Sequence, residues 1–117
     1  MCIRDSTLST PKEMGGPGKA GATNPEQLFA AGYAACFHSA LKSVGKKAGE
    51  DLSDSEVVAD VSIGSDDQGG YALAVQLEVN LSHVEHDRAV DLVEQAHRVC
   101  PYSHATRGNI EVTLSVA

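Results

Sequence analysis

Aromatic residues are scarce in this chain of 117 residues, which has no tryptophan, two phenylalanines and three tyrosines, so Ala, Val and Leu have to build its core. A hydrophobic share of 42% against 21% charged is nevertheless ordinary for a globular domain and too apolar for a disordered one. Positive charge is also short. Nine Lys and Arg against 16 Asp and Glu leave a formal net charge of −7, which argues against a phosphate-backbone partner, because that needs clustered cations. Long apolar runs are missing: the longest uncharged one, residues 28–37, holds ten residues including Gly32, well short of the roughly 18 to 20 of a membrane span. With Arg4 and Asp5 inside its first six residues, the N-terminus lacks the apolar region of a secretory signal. Together these absences predict a soluble cytoplasmic protein without a nucleic-acid or membrane partner. Cysteine is limited to three residues, too few for a disulfide scaffold; in a reducing compartment a cysteine pair points to catalysis or metal binding.

One domain is expected at this length, burying about two-thirds of its unfolded surface. Residues 10–22 carry Pro11, Pro17 and four glycines, a composition that reads as a loop. Thr23, Asn24, Pro25 and Glu26 then supply an N-cap, a proline for the first helical position and an acid for the first turn. The helix they open runs to about Lys47, where Lys46 and Lys47 suit the negative end of the macrodipole and Gly49 stops the chain. Its first half, residues 28–37, has no polar stripe, which predicts a central helix buried on every side. Residues 57–63 and 71–81, joined by Asp66, Asp67, Gln68, Gly69 and Gly70, read as a hairpin with one buried face. Between Glu85 and Cys100, Ala89, Leu92, Val93, Ala96, Val99 and Cys100 recur at helical spacing. Pro101 disfavours helix at the residue before it, so Cys100 is expected at a core-facing helix end. Residues 110–116 close the chain as a strand. The order helix, strand, strand, helix, strand indicates an α+β domain.

Cys36 thus belongs to the central helix and Cys100 to the end of a second one. Read from spacing alone, both can be small core hydrophobes or a redox pair. Zinc is a further alternative, because Cys36 and His38, and His97, Cys100 and His104, form two short clusters, although neither has the paired spacing of common zinc modules.

Residues 24–37 (NPEQLFAAGYAACF) and 99–110 (VCPYSHATRGNI) closely resemble the two signature segments of organic hydroperoxide resistance proteins, within the osmotically inducible protein C superfamily. The resemblance extends from about Thr7 through Ala117 and includes residues 11–16 (PKEMGG). It implies an α+β fold with a central buried helix and a second helix packed on an antiparallel sheet, in an intertwined homodimer. It also implies a cysteine peroxidase of the oxidative stress response. Cys36 would be the peroxidatic thiol, oxidised by an organic hydroperoxide to a sulfenic acid, and Cys100 the resolving thiol that closes an intramolecular disulfide. Thiol chemistry fits that division, since a sulfenic acid has to be trapped before it over-oxidises. In the family the reductant is a dihydrolipoyl dithiol, free or on a lipoylated protein, rather than glutathione, and no cofactor or metal is bound.

Glu26 matches the family's glutamate, which implies that it holds a catalytic arginine near the sulfur. On an ideal helix it points about 80° away from Cys36, so it should orient a partner group rather than touch the thiol. Tyr102 and Arg107 lie inside the second signature and read as helix-end packing. Leu28, Phe29, Tyr33 and Phe37 are expected to surround Cys36 and favour bulky organic hydroperoxides. A non-catalytic dimeric or ligand-binding module of the same fold, its cysteines idle, is the alternative. Residues 1–6 fit no part of the family pattern, and residues 7–117 read as the family domain without the N-terminal strands that carry its activating arginine. A chain lacking that arginine is expected to be a poor catalyst, because burial alone disfavours a thiolate.

Overall fold

The computed structural model describes residues 7–117, so Cys2 and Arg4 lie outside the described residues. Helix α1 spans Pro25–Lys47, β1 Glu56–Ser65, β2 Tyr71–Asn80, α2 His86–Val99, α3 Pro101–Thr106 and β3 Glu111–Val116. A single 3-10 turn, Lys12–Met14, interrupts the glycine-rich loop ahead of α1.

Helix α1 starts where its capping residues put it. The Asn24 side chain accepts the Gln27 N–H at 2.8 Å, and Pro25 occupies the first turn, where its missing N–H costs nothing. Gly49, at φ +79°, takes the left-handed conformation that ends it. Between β1 and β2 the Asp66 carboxylate accepts the N–H groups of Gln68 and Gly70, both at 2.8 Å, closing the hairpin turn.

Strands β1 and β2 pair antiparallel, Val57 opposite Val79 and Ile63 opposite Leu73. Strand β3 joins the other side of β2, but parallel, with Leu77 opposite Leu114. The expected antiparallel sheet is therefore a mixed one. The reason is the connection: a parallel neighbour needs a crossover of a dozen or more residues, and α2 with α3 supplies it.

Alternation leaves one sheet face apolar. Val75, Leu77 and Val79 of the central strand are buried, and Val57, Val61, Val112 and Leu114 flank them half-buried. Against that face lie Tyr33, Phe37, Leu41 and Val44 of α1, spaced three to four residues apart, and Ala89, Leu92, Val93, Ala96 and Cys100 at the end of α2. Helix α1 is not covered all round, contrary to the expectation from its composition. Ala31 and Ala35 are exposed and Leu28 keeps 38% of its surface, because one sheet and the helices α2 and α3 cover only part of the cylinder.

Candidate active site

Proline 101 sets the position of Cys100. It excludes helical backbone at the residue before it, and Cys100 sits at φ −67°, ψ 124°, extended between two helices. Pro101 then serves as the first residue of α3, so the same cysteine ends α2 and begins α3. Its thiol faces α1 and donates to Cys36 Sγ, 3.5 Å away across 64 positions of sequence. Both thiols are free; Cys100 is fully buried and Cys36 only partly. Burial pushes the Cys36 pKa above the ordinary 9.0, the backbone N–H of Tyr102 opposes that rise, and the adjoining Cys100 adds to it. Among the described residues no cation figures among these influences.

A buried polar chain fixes α3 against α1. Tyr33, fully buried three residues before Cys36, bonds through its hydroxyl to Ser103 Oγ at 2.7 Å and Thr106 Oγ1 at 3.3 Å. Ser103 Oγ also meets His97 Nδ1 at 2.8 Å, and Thr106 Oγ1 donates to the Ser103 carbonyl at 3.2 Å. Arg107 Nη2 closes the set by donating to the His97 carbonyl at 2.7 Å. Burial and then the Arg107 charge hold the His97 pKa below its ordinary 6.5. Sequence reasoning missed Ser103, Thr106 and the hydroxyl of Tyr33. The available signal was a serine and a threonine three residues apart after a proline, which place both on one face of a short helix. Tyr102 does pack at the helix end: its ring lies over Gly32, stacks on Phe29 at 6.2 Å between centroids and meets Tyr33 edge-on at 5.8 Å. Arg107 points to His97 and not to Cys36.

The surroundings of Cys36 differ from those expected. Tyr33 and Phe37 turn into the core and Phe29 joins the Tyr102 cluster: Phe37 is rotated about 100° from Cys36 around the helix, and Tyr33 and Phe29 lie about one and two turns before it along the axis. What opens beside Cys36 is a trough of about 520 Å³ lined by Ser39, Ala40, Ser43, Val44 and Lys47 of α1 and by Val99 and Pro101. Glu26 is not brought to the thiols; ten residues of helix separate it from Cys36 by about 15 Å. It borders a different depression with Ala30, Ala59 and Asp60, and its Oε2 is buried without a hydrogen-bond partner among the described residues. His38 turns away to Ser55 Oγ at 2.8 Å, and His104 is exposed. Among the described residues no three His, Cys, Asp or Glu side chains converge as metal ligands, which leaves the zinc alternative without a ligand set there. No described helix is long and apolar enough to cross a membrane.

Comparison with known proteins places this arrangement in context. The sequence pattern of the OsmC-like protein family matches residues 16–115. An organic hydroperoxide resistance protein of Xanthomonas axonopodis pv. citri is 50% identical over 97% of this chain and 79% of its own length. The crystal structure of an organic hydroperoxide resistance protein from Elizabethkingia anophelis superposes with a TM-score of 0.92 at 48% identity, covering 98% of this chain and 81% of that one. One from Legionella pneumophila gives 0.91 at 45% identity, over 98% and 82%.

Proposed function

Since the chain belongs to the OsmC-like protein family, we propose that it is a thiol peroxidase that reduces organic hydroperoxides to alcohols, with Cys36 attacking and Cys100 resolving. The observation that carries this reading is the 3.5 Å approach of two free thiols from separate helices. Their unequal burial supports the division of labour. A substrate in the trough meets Cys36, whereas Cys100 is fully buried and does not line it.

In the first step the Cys36 thiolate attacks the terminal oxygen of ROOH. The O–O bond breaks, the alkoxide takes a proton and leaves as alcohol, and Cys36 becomes a sulfenic acid. Cys100 then attacks the oxidised sulfur, an S–S bond forms, and hydroxide leaves with the Cys100 proton as water. A dithiol restores the pair by becoming a disulfide itself; the dihydrolipoyl group is the reductant that the family suggests. Glu26 is assigned the holding of a cation, an assignment supported by its unpartnered buried oxygen. A homodimer is part of the proposal, supported by the apolar residues Leu28, Ala31 and Ala35 that α1 leaves exposed.

The test mixes reduced protein with one equivalent of cumene hydroperoxide and counts thiols and cumyl alcohol. Loss of two thiols per chain with one alcohol formed is expected, followed by turnover with dihydrolipoamide. Unchanged thiols would favour the reading in which the cysteines are idle.

A further inference from the structure

The trough beside Cys36 has a direction. Cys36, Ala40, Ser43 and Lys47 stand at intervals of four, three and four residues on α1, and eleven residues return a helix to within about 20° of its starting azimuth. All four therefore share one face, with a thiol at one end and an ammonium group at the other, roughly 16 Å apart along the axis. Between them the floor is Ala40 and Ser43, too small to obstruct a chain laid along the groove, and Val99 and Pro101 give the opposite wall an apolar character.

Lys47 itself is exposed and, among the described residues, engages no carboxylate. Its position in the last turn already suits the helix dipole. That role does not require it to line the trough, however, and the neighbouring Lys46, equally placed for the dipole, borders a separate depression with Lys42 and Glu50 instead.

Resting on the peroxidase reading above, we propose that Lys47 is a specificity-determining residue, receiving the carboxylate of an extended hydroperoxide whose peroxide group lies at Cys36. The apolar wall takes the intervening methylene chain. A long side chain leaning toward the N-terminus of its helix brings the ammonium group back over the groove. Because the site is open, the charge pair is modest and salt-sensitive, and its effect on rate is a selectivity of about fivefold rather than of orders of magnitude.

The experiment uses the full chain, reduced, and follows thiol loss with a straight-chain hydroperoxide ending in a carboxylate and with its methyl ester. In the wild type the acid is expected to react about fivefold faster than the ester at low ionic strength. That ratio should collapse towards one in 0.5 M salt and in Lys47→Gln, and persist in Lys47→Arg. A hydroperoxy acid too short to span the trough should show no advantage over its own ester. An acid-to-ester ratio that Lys47→Gln leaves unchanged, or a wild-type ratio of one, overturns the inference. Cumene hydroperoxide separates the two levels of failure. If it too leaves the wild-type thiols intact, the peroxidase reading falls and takes this inference with it; if it consumes them, only the role of Lys47 is at stake.

Discussion

At Cys36, burial and the adjoining Cys100 raise the thiol pKa while one backbone N–H opposes them, so the thiolate is a minor species at neutral pH. Each pH unit below the pKa changes that fraction about tenfold. The rate of reaction with cumene hydroperoxide is accordingly expected to climb about a decade per unit between pH 7 and 9, measured by stopped-flow thiol consumption. A flat profile across that range would mean that a cation is activating the sulfur. Replacing either cysteine should expose the asymmetry in burial. Cys36→Ser is expected to abolish peroxide consumption, whereas Cys100→Ser should react once and stall as a sulfenic or over-oxidised species, seen by mass spectrometry after one equivalent of peroxide. Equal behaviour of the two variants would contradict the assigned roles.

At the scale of elements, α1 contains two glycines that the same substitution should affect in opposite ways. Gly→Ala inside a helix gains about 1 kcal/mol from propensity. A methyl at Gly45 would press into the buried Leu52, 2.8 Å from its Cγ, and overpacking of that kind costs about 1–3 kcal/mol. Gly45→Ala is therefore expected to lower the melting temperature. At Gly32 the added carbon lies 3.3 Å from the far end of the Tyr102 ring, which is 40% exposed and free to shift. Gly32→Ala should hold or raise the melting temperature and leave the peroxide reaction unchanged, because the end of the Tyr102 ring can give way without moving the backbone N–H that faces Cys36. Calorimetry alongside the thiol assay reads both; loss of stability or of rate in Gly32→Ala would refute this account.

These elements also mark how far the sequence could be read. Caps and periodicity place α1, α2 and all three strands to within a few residues, since those signals are local. Helix α3 is hidden in the sequence because Pro101 reads first as a stop for α2, while a proline in the first turn is equally a start. The parallel pairing of β3 and the bond from Tyr33 to Ser103 depend on contacts between segments about 40 to 70 positions apart, which local patterns do not encode. For the site, the cysteine pair was legible and their meeting is observed, but the walls of the trough were not: Ser39, Ser43 and Lys47 have no apolar periodicity to draw attention to them.

As a whole molecule, the chain is larger than a self-sufficient domain of its length. Its radius of gyration is 16.0 Å, against about 13 Å expected for 117 residues. Its accessible surface of 7720 Å² exceeds by about 1,700 Å² the value usual for a monomer of this mass. An excess of that size is what a second copy would cover, and sedimentation at micromolar concentration is expected to find a dimer; a well-folded monomer would refute it. The trough argues for selectivity as well. Its apolar wall rewards alkyl surface by about 25 cal/mol per Å², so cumene hydroperoxide should react faster than hydrogen peroxide.

On the proposed disulfide cycle, the 3.5 Å between the two sulfurs also constrains how Cys36 and Cys100 would be reduced again. Held this close by separate helices, each thiol experiences the other at a local concentration far above any in solution. When an outside monothiol opens the disulfide, the freed cysteine sits beside the mixed disulfide and expels the intruder before a second molecule arrives. A dithiol escapes that futile cycle, because its own second sulfur is tethered equally near and competes on even terms. Regeneration is therefore expected to be at least roughly tenfold faster with dihydrolipoamide than with glutathione at equal thiol concentration, followed by the return of free thiols; equal rates would mean that the cysteines part once the bond is cut.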